Sequence, residues 1–223
     1  MTPLARQSPF QTVPAKPLKL WDISPAVDET AEVFPGDTPY SQQLHFALSP
    51  DCPVNVNRIT LSPHTGAHAD APMHYAHGGA AIGAVDLQPY LGLCRVIYCL
   101  NSGPLVLPAH IEHALDHLPP RVLLRTARVA NQSWASFTAI APDTLALLAT
   151  KHIALVGIDT PSVDPATSQD LPCHQLLLQH NLRVLENLVL DDVPEGDYEL
   201  IALPLKLTQA DASPVRAVLR ELS

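Results

Sequence analysis

The chain has 223 residues, a length that suits one large or two small domains. Of these residues 47% are hydrophobic and 16% charged, a composition typical of a globular and not of a disordered chain. Its formal net charge of −9 argues against nucleic acid or an anionic membrane as a partner, because both need clustered Lys and Arg. No stretch resembles a membrane span, and the N-terminus lacks the apolar core of a signal peptide. We therefore expect a cytoplasmic protein. Its four cysteines show no C-x-x-C spacing, and in a reducing compartment we expect them to be free thiols.

The N-terminal residues 1–17 are rich in proline and show no hydrophobic periodicity. This pattern predicts a poorly ordered extension, followed by one domain over residues 18–223. Residues 18–24 then alternate between apolar and polar side chains as a strand does, and residues 34–39 (FPGDTP) are typical of a turn. A further strand is predicted at residues 54–62, whose apolar side chains change parity halfway, which indicates a bulge in its middle.

The second half of the chain alternates between strands and helices. Apolar runs predict strands at residues 93–100, 121–126, 152–158, 183–186 and 198–207. Helical patterns predict helices at residues 109–117, 143–150 and 171–180. This alternation favours a single mixed α/β domain around a sheet or a flattened barrel.

Residues 62–75 (SPHTGAHADAPMHY) carry the strongest functional signal. Within eleven positions they place three imidazoles and one carboxylate between small residues: His64, His68, Asp70 and His74. Imidazole and carboxylate are the ligands that divalent cations such as zinc prefer, and burying such a cluster without a cation is costly. The motif therefore predicts a divalent metal site and favours metal-assisted hydrolysis, without naming a substrate.

The spacing of this motif limits its geometry. All four candidate residues have even numbers, so in an extended strand they would face one side. A fully extended run over residues 64–74 would span about 33 Å, too long to surround one or two ions. The chain must turn back, and Gly66 and Pro72 are placed to bend it. Asp70 is a favourable N-cap for a short helix, which would leave His74 outside the ligand cluster as a proton-transfer group. A histidine-rich surface loop is the alternative interpretation.

The motif resembles that of the metal-dependent kynurenine formamidases (arylformamidases) of the cyclase-like hydrolase family. The family signature H-x-G-x-H-x-D-x-P-x-H is found here at residues 64–74. Further similar segments lie at residues 21–24 (WDIS), 34–39 (FPGDTP), 157–162 (GIDTPS), 185–188 (LENL), 201–207 (IALPLKL) and 210–216 (ADASPVR). The resemblance covers the chain from Leu18 onward and implies a mixed β/β/α domain of the swivelling type, assembled as a homodimer.

The resemblance also implies two zinc ions per subunit, held by His64, His68, Asp70, His174 and Glu186. The first three residues would bind one ion, and Asp70 would join His174 and Glu186 at the second, with both carboxylates reaching both ions. His74 would be the general acid/base. His174 and Glu186 are candidates only through the resemblance, since their local patterns suggest an ordinary helix residue and a charge at a strand end.

The implied activity is hydrolysis of N-formyl-L-kynurenine to L-kynurenine and formate in tryptophan degradation. A water activated by zinc would attack the formyl carbon, and His74 would pass the proton to the departing aryl nitrogen. The alternatives are hydrolysis of another aryl or cyclic amide, such as an isatin-type lactam with manganese, and a non-catalytic metal-binding domain. A Ser-His-Asp hydrolase is disfavoured, because the chain contains no G-x-S-x-G motif.

One residue departs from the family pattern. Phe34 stands where many formamidases carry a tryptophan that the resemblance places against the substrate. An aromatic ring is kept, so stacking on an aryl substrate remains available, but the indole N–H donor is lost. Packing as an ordinary loop aromatic is the alternative interpretation of Phe34.

Overall fold

The computed structural model of the chain describes residues 17–130 and 133–223, so the predicted N-terminal extension lies outside the described residues except for Pro17. The strands in this part of the chain are β1 (Leu20–Asp22), β2 (Ser41–Phe46), β3 (Val56–Thr60), β4 (His68–Asp70), β5 (Leu91–Tyr98), β6 (Leu105–Val106), β7 (Arg121–Arg125), β8 (Ala139–Ile140), β9 (Leu155–Ile158), β10 (Arg183–Glu186), β11 (Gly196–Ile201), β12 (Ala212–Pro214) and β13 (Val218–Arg220). The helices are α1 (Pro72–Tyr75), α2 (Pro142–Thr150) and α3 (Pro172–His180). None of the helices in the described ranges has the length and apolar character needed to cross a bilayer.

Nine strands form one mixed sheet in the order β1-β13-β11-β5-β7-β9-β10-β4-β12, with the central β5-β7-β9-β10 parallel. The sheet must curl, because β12 and β13 lie near its opposite ends yet are joined only by residues 215–217. In a flat sheet the two strands would be seven spacings, about 34 Å, apart, whereas the connection spans at most about 14 Å. The structure is a single mixed α/β domain around a half-barrel, as the sequence predicts.

Alternate residues of the central strands pack into two cores, one on each face of the sheet. Val96 and Leu123 belong to the inner core, which the curled sheet encloses. Their neighbours Ile97 and Leu124 belong to the outer core, which buried leucines of α2 and α3 cover. Strands buried on both faces read as continuous apolar runs, which is why the central strands were predictable.

The predicted strands of the second half correspond to β5, β7, β9, β10 and β11. The last one is shorter than predicted, because β11 ends at Ile201 and residues 202–207 form no strand. Pro204 lies in this segment and has no N–H to donate to a ladder.

The helix predicted at residues 109–117 is wrong. Two short 3-10 turns, Pro108–His110 and Glu112–Ala114, occupy the segment. The N–H of Ile111 donates to the carbonyl oxygen of Pro108 at 3.1 Å, three residues back rather than four. Within residues 108–114, Ile111 is the one residue that is fully buried. The segment therefore buries too little apolar surface to stabilise a longer helix.

The strand predicted at residues 54–62 is β3, whose partner β2 was not predicted. The two strands form an antiparallel hairpin apart from the main sheet, and every residue in both is exposed. The bulge lies in β2, between Leu44 and Phe46, and not in β3. Apolar parity indicates which face is buried, and this hairpin has no buried face on which that argument could rest.

Candidate metal centre

The histidine motif is built around β4, which pairs with β10 on one side and β12 on the other. The register with β10 places His68 opposite Glu186. Ala69 is fully buried in the inner core, so His68 and Asp70 share the opposite face, as their even numbering predicts. Strand pairing therefore brings a carboxylate from a distant part of the sequence to the histidine motif.

The chain bends at the two predicted positions around β4. Gly66 has a φ of 68°, and a Cβ at this position would lie 2.7 Å from Val27 Cγ2. Pro72 is the first residue of α1. The prediction that Asp70 caps this helix is wrong, because Asp70 ends β4 and Ala71 is the N-cap. The carboxylate of Asp70 faces histidine rings instead.

The five predicted ligands converge around Asp70. Its Oδ1 lies 3.0 Å from His64 Nδ1 and 3.4 Å from His68 Nε2, and its Oδ2 lies 3.4 Å from His174 Nε2. Glu186 lies beside the same rings, with Oε2 3.3 Å from His68 Nε2 and Oε1 3.8 Å from His174 Nε2. Except for the half-buried His64, these side chains are buried. Two compact groups of potential ligand atoms share Asp70: one adds His64 and His74, and the other adds His68 and Glu186.

Hydrogen bonds to the Nδ1 atoms of His68 and His174 indicate which ring nitrogens carry protons. His68 Nδ1 lies 2.9 Å from the carbonyl oxygen of Gly66, and His174 Nδ1 lies 2.7 Å from Asp164 Oδ2. Both oxygens only accept, so each Nδ1 donates, and in a neutral ring Nε2 then presents a lone pair. These lone pairs face carboxylates, which is repulsive unless a cation lies between them.

The donor set fits a divalent metal. Asp70 Oδ1 is buried and has no hydrogen-bond partner in the described structure, although two imidazole nitrogens lie close to it. Metal-bound histidines characteristically donate their second nitrogen to a carboxylate or a backbone carbonyl, the arrangement found at His174 and His68. Three imidazoles and two carboxylates are ligands suited to zinc and to neighbouring transition metals.

The same carboxylates favour positive charge in the cluster. Burial by itself would lower the pKa of His174, but hydrogen bonds to Asp164 and Asp70 outweigh it and raise the pKa to about 10. Burial likewise opposes a charge on His64, whose pKa is nevertheless raised to about 9 by Asp70 and Asp211. Burial would raise the pKa of Asp70, yet the facing histidines hold it well below its usual range. The cluster stabilises positive charge, which protons or metal ions can supply.

His74 lies at the rim of the cluster, on α1. Its ring centroid is 4.3 Å from that of His64, and its Nδ1 is 3.3 Å from Asp211 Oδ2. The side chain is 33% exposed, whereas that of His68 is 1% exposed. A histidine that donates Nδ1–H to a carboxylate keeps Nε2 available to exchange a proton.

A cavity of about 320 Å³ lies over the cluster, within the size range of small-molecule sites. All the predicted ligands except Asp70 line it, and His74 does too. Phe34 also lines it, is 47% exposed, and packs edge-on against Trp134 with ring centroids 5.1 Å apart. The buried ligands and the exposed aromatic ring place charge at the closed end and an apolar surface at the open end.

Three residues of the site were not identified from the sequence. Asp164 supports His174, and Asp211 lies between His64 and His74, with Oδ2 3.2 Å from His64 Nε2. Trp134 forms part of the cavity wall. Asp211 falls within residues 210–216, a segment that carries the family resemblance and was an available signal. No motif marks the other two.

Comparison with known proteins shows which family the chain belongs to. The Cyclase family model matches residues 21–165. A kynurenine formamidase of Polaromonas naphthalenivorans (strain CJ2) is 78% identical over 223 residues, which is 100% of both chains. The solved structure of a predicted metal-dependent hydrolase from Bacillus stearothermophilus has a TM-score of 0.77 at 27% identity, over 93% of this chain and 100% of that one.

An isatin hydrolase bound to the product analogue thioisatinate has a TM-score of 0.78 at 22% identity, over 92% of this chain and 93% of that one. This last likeness concerns the fold alone. The family match spans more than half of the described domain, and its structural relatives carry the same half-barrel. The chain belongs to the Cyclase family.

Proposed function

We propose that the chain is an arylformamidase that hydrolyses N-formyl-L-kynurenine to L-kynurenine and formate, a step of tryptophan degradation. The observation that carries the proposal is the cluster in which Nε2 of His68 and Nε2 of His174 face two buried carboxylates beneath an aromatic-walled cavity. A full-length relative at 78% identity named kynurenine formamidase supports the choice of substrate.

We further propose that each subunit binds two zinc ions. The proposed ligands are His64, His68 and Asp70 for one ion, and Asp70, His174 and Glu186 for the other. Asp70 suits a shared role because both of its oxygens approach imidazole nitrogens. When bound, two such metal ions supply a water that ionises near neutral pH and a positive charge that stabilises the developing oxyanion.

His74 is the proposed proton carrier. In the reaction the water oxygen bonds to the formyl carbon, the C–N bond breaks, and the nitrogen must gain a proton to leave as a neutral aniline. His74 takes the proton from the water and delivers it to that nitrogen. Asp211, which accepts the Nδ1–H of His74 at 3.3 Å, orients the ring and stabilises its protonated form.

Phe34 is the proposed substrate-binding residue at the open end of the cavity. Its ring supplies an apolar surface for the aryl group, while the formyl group reaches the ligand cluster. A formyl carbon carries only a hydrogen besides its oxygen and nitrogen, so it approaches a crowded cluster more easily than a ring carbonyl does. The small formyl group therefore favours an aryl formamide over a cyclic lactam as substrate.

We also propose that the enzyme is a homodimer joined through the β2–β3 hairpin. Apolar side chains on this hairpin are 40–54% exposed: Leu44, Phe46, Val56 and Ile59. A hairpin with no buried face is marginal by itself, and a second copy related by a two-fold axis would cover it. The cytoplasm is the proposed compartment, because all four cysteines are free thiols and a reducing environment keeps them so.

The proposed activity is tested with purified protein of measured metal content, using formylkynurenine and isatin as substrates. We expect two metal ions per chain and a kcat/KM for formylkynurenine at least about tenfold above that for isatin. A preference for isatin would assign a lactam hydrolase instead. Two bound ions with no turnover of either substrate would indicate a non-catalytic metal-binding domain. A single bound ion per chain would contradict the proposal that Asp70 is shared by two ions.

A further inference from the structure

A second aromatic side chain, from a distant segment, faces Phe34 at the cavity. The rings of Trp134 and Phe34 meet edge to face, with an interplanar angle of 89°. On its other side Trp134 packs against Phe137, with centroids 5.7 Å apart. Trp134 is half-buried and lines the cavity. Its ring is therefore held from two sides while part of it stays accessible from the cavity.

The two segments that carry these rings are also tied by a hydrogen bond. The backbone N–H of Trp134 donates to Glu32 Oε2 at 3.1 Å, two residues before Phe34. Phe34 is itself fixed by a turn, since its carbonyl oxygen accepts the N–H of Asp37 at 2.9 Å. The aromatic pair is thus an arranged surface, in which the position of one ring depends on the other.

Among the described residues that line the cavity, Phe34 and Trp134 carry the aromatic rings other than imidazoles, and Pro165, Ala166 and Leu171 add aliphatic surface. The ligand end consists of imidazoles and carboxylates, which suit a polar acyl group. Aromatic rings prefer the face or the edge of another ring, and a perpendicular pair offers both to a third ring placed beside it. A phenyl ring that follows a formamide nitrogen would therefore rest against the pair formed by Phe34 and Trp134.

We propose that Trp134 is a specificity-determining residue that selects the aryl group of the substrate. The inference rests on the proposed formamidase activity and names a residue that recognises the leaving group. Phe34 alone offers one exposed ring; Trp134 completes the surface and distinguishes a flat aromatic ring from an aliphatic ring of similar size.

The kinetic test uses two formamides that differ in this respect, formanilide and N-cyclohexylformamide. For Trp134→Ala we expect kcat/KM for formanilide to fall about tenfold relative to that for N-cyclohexylformamide, mainly through KM. Taking the ratio between substrates cancels their different intrinsic reactivity. Trp134→Phe should restore most of the preference, because a ring is retained. Equal losses on both substrates, or a loss confined to kcat, would overturn the proposal.

A second test needs no turnover and uses the fluorescence of the metal-loaded enzyme. The chain has two tryptophans, and Trp21 lies elsewhere, against Tyr198 with its indole N–H donating to the carbonyl oxygen of Asp192. Titration with acetanilide should change the emission of the wild type and of Trp21→Phe, and leave that of Trp134→Phe unchanged. An unchanged Trp21→Phe spectrum at saturating acetanilide, or a response that persists in Trp134→Phe, contradicts the proposal.

The activity of the enzyme and the role of Trp134 can be tested independently. If the wild type does not hydrolyse formylkynurenine, the proposed function is wrong, and the fluorescence titration still decides whether Trp134 binds aryl rings. If formylkynurenine is hydrolysed but Trp134→Ala leaves the preference between the two formamides unchanged, the role of Trp134 is wrong while the function stands.

Discussion

Asp70 illustrates how single residues determine this site. Its carboxylate is buried in the domain, and its ion-pair partners in the described structure are imidazoles. Burying an ionised carboxylate is costly unless positive charge offsets it. The raised pKa values of His64 and His174 express this demand for positive charge. Metal ions held by the same residues would meet the demand more completely than protons do.

Mutation of His74 is expected to lower turnover without releasing metal. His74→Ala should retain both metal ions but lower kcat by about 10²–10⁴-fold, because only the proton carrier is removed. Metal content and kcat measured on the same sample check this. His77→Ala is the matched control, since His77 is exposed nearby on the chain and does not line the cavity.

The opposite outcome for His74 has a structural basis. Its ring nitrogen lies close enough to His64 and Asp70 for these three residues to form a possible ligand group. If His74→Ala loses metal and regains its rate with excess zinc, His74 is a ligand and the proton carrier must be sought elsewhere.

Asp164 offers a test of the residues behind the ligands. Its carboxylate accepts the Nδ1–H of His174 and also the backbone N–H groups of Cys173 and His174 at 3.0 Å. Asp164→Asn removes the charge that orients the ring, and we expect metal affinity to fall about 10–100-fold in a chelator competition assay. The exposed Asp170 is the control, as Asp170→Asn should leave the affinity unchanged. Equal affinities in the two variants would show that the charge is dispensable.

At the scale of elements, the register of one strand pair assembles the centre. β4 is only three residues long, yet its pairing with β10 sets His68 against Glu186. A shift by one residue would turn His68 and Asp70 into the inner core and Ala69 into the site. Ala69, packed in that core, therefore helps to specify the register. Such a short strand keeps its geometry because it is paired on both sides.

Helix α1 depends on a close contact with the chain that follows it. A Cβ on Gly79 would lie 2.3 Å from the carbonyl oxygen of Pro72, the first residue of α1. Gly79→Ala should therefore displace the helix and His74 with it, lowering stability by about 1–3 kcal/mol and also lowering kcat. Thermal unfolding and steady-state kinetics measure the two effects.

The control for this prediction is Gly103→Ala, where no atom lies within 4 Å of the added Cβ. Gly103 has a φ of 71°, so alanine there costs about 1 kcal/mol of backbone strain without moving the site. If Gly79→Ala changes stability no more than this control and keeps full activity, α1 does not depend on the contact.

At the scale of the whole molecule, the curled sheet and the projecting hairpin have different roles. The curl brings β12 beside β4, which places Asp211 at the site, where the carbonyl oxygen of Asp211 accepts the N–H of Ala71 at 2.8 Å. The β2–β3 hairpin lies outside this assembly and presents apolar side chains to solvent. Exposed apolar patches of this kind mark contacts with other molecules.

The proposed dimer predicts the effect of a charge on the hairpin. Leu44→Glu should weaken self-association about 100-fold, because a carboxylate would be buried in the contact. Analytical ultracentrifugation over a range of concentrations measures this. Gln43→Glu adds the same charge at the adjacent exposed position, whose own side chain is polar, and tests whether the effect is specific to an apolar position. A monomeric wild type, or a dimer that both variants leave intact, contradicts the hairpin contact.

Burial determines which elements of this chain leave a recognisable pattern in its sequence. The central strands were predictable because burial on both faces leaves a continuous apolar run in the sequence. The exposed strand β2 was missed because its sequence, SQQLHF, contains only two apolar residues. The helix at residues 109–117 was wrong because two 3-10 turns imitate a helical pattern. A local sequence pattern is most informative where tertiary packing buries one or both faces of the element.

The sequence by itself determined the metal motif, since four candidate residues within eleven positions need only local bends at Gly66 and Pro72 to approach one another. The family resemblance added His174 and Glu186. Only the tertiary structure decided how they meet, because strand register and sheet curl join residues that no local spacing relates. It also brought the supporting Asp164 and the aromatic Trp134 to the site. Contacts between distant segments arise from packing of the whole domain, and a local pattern carries no record of them.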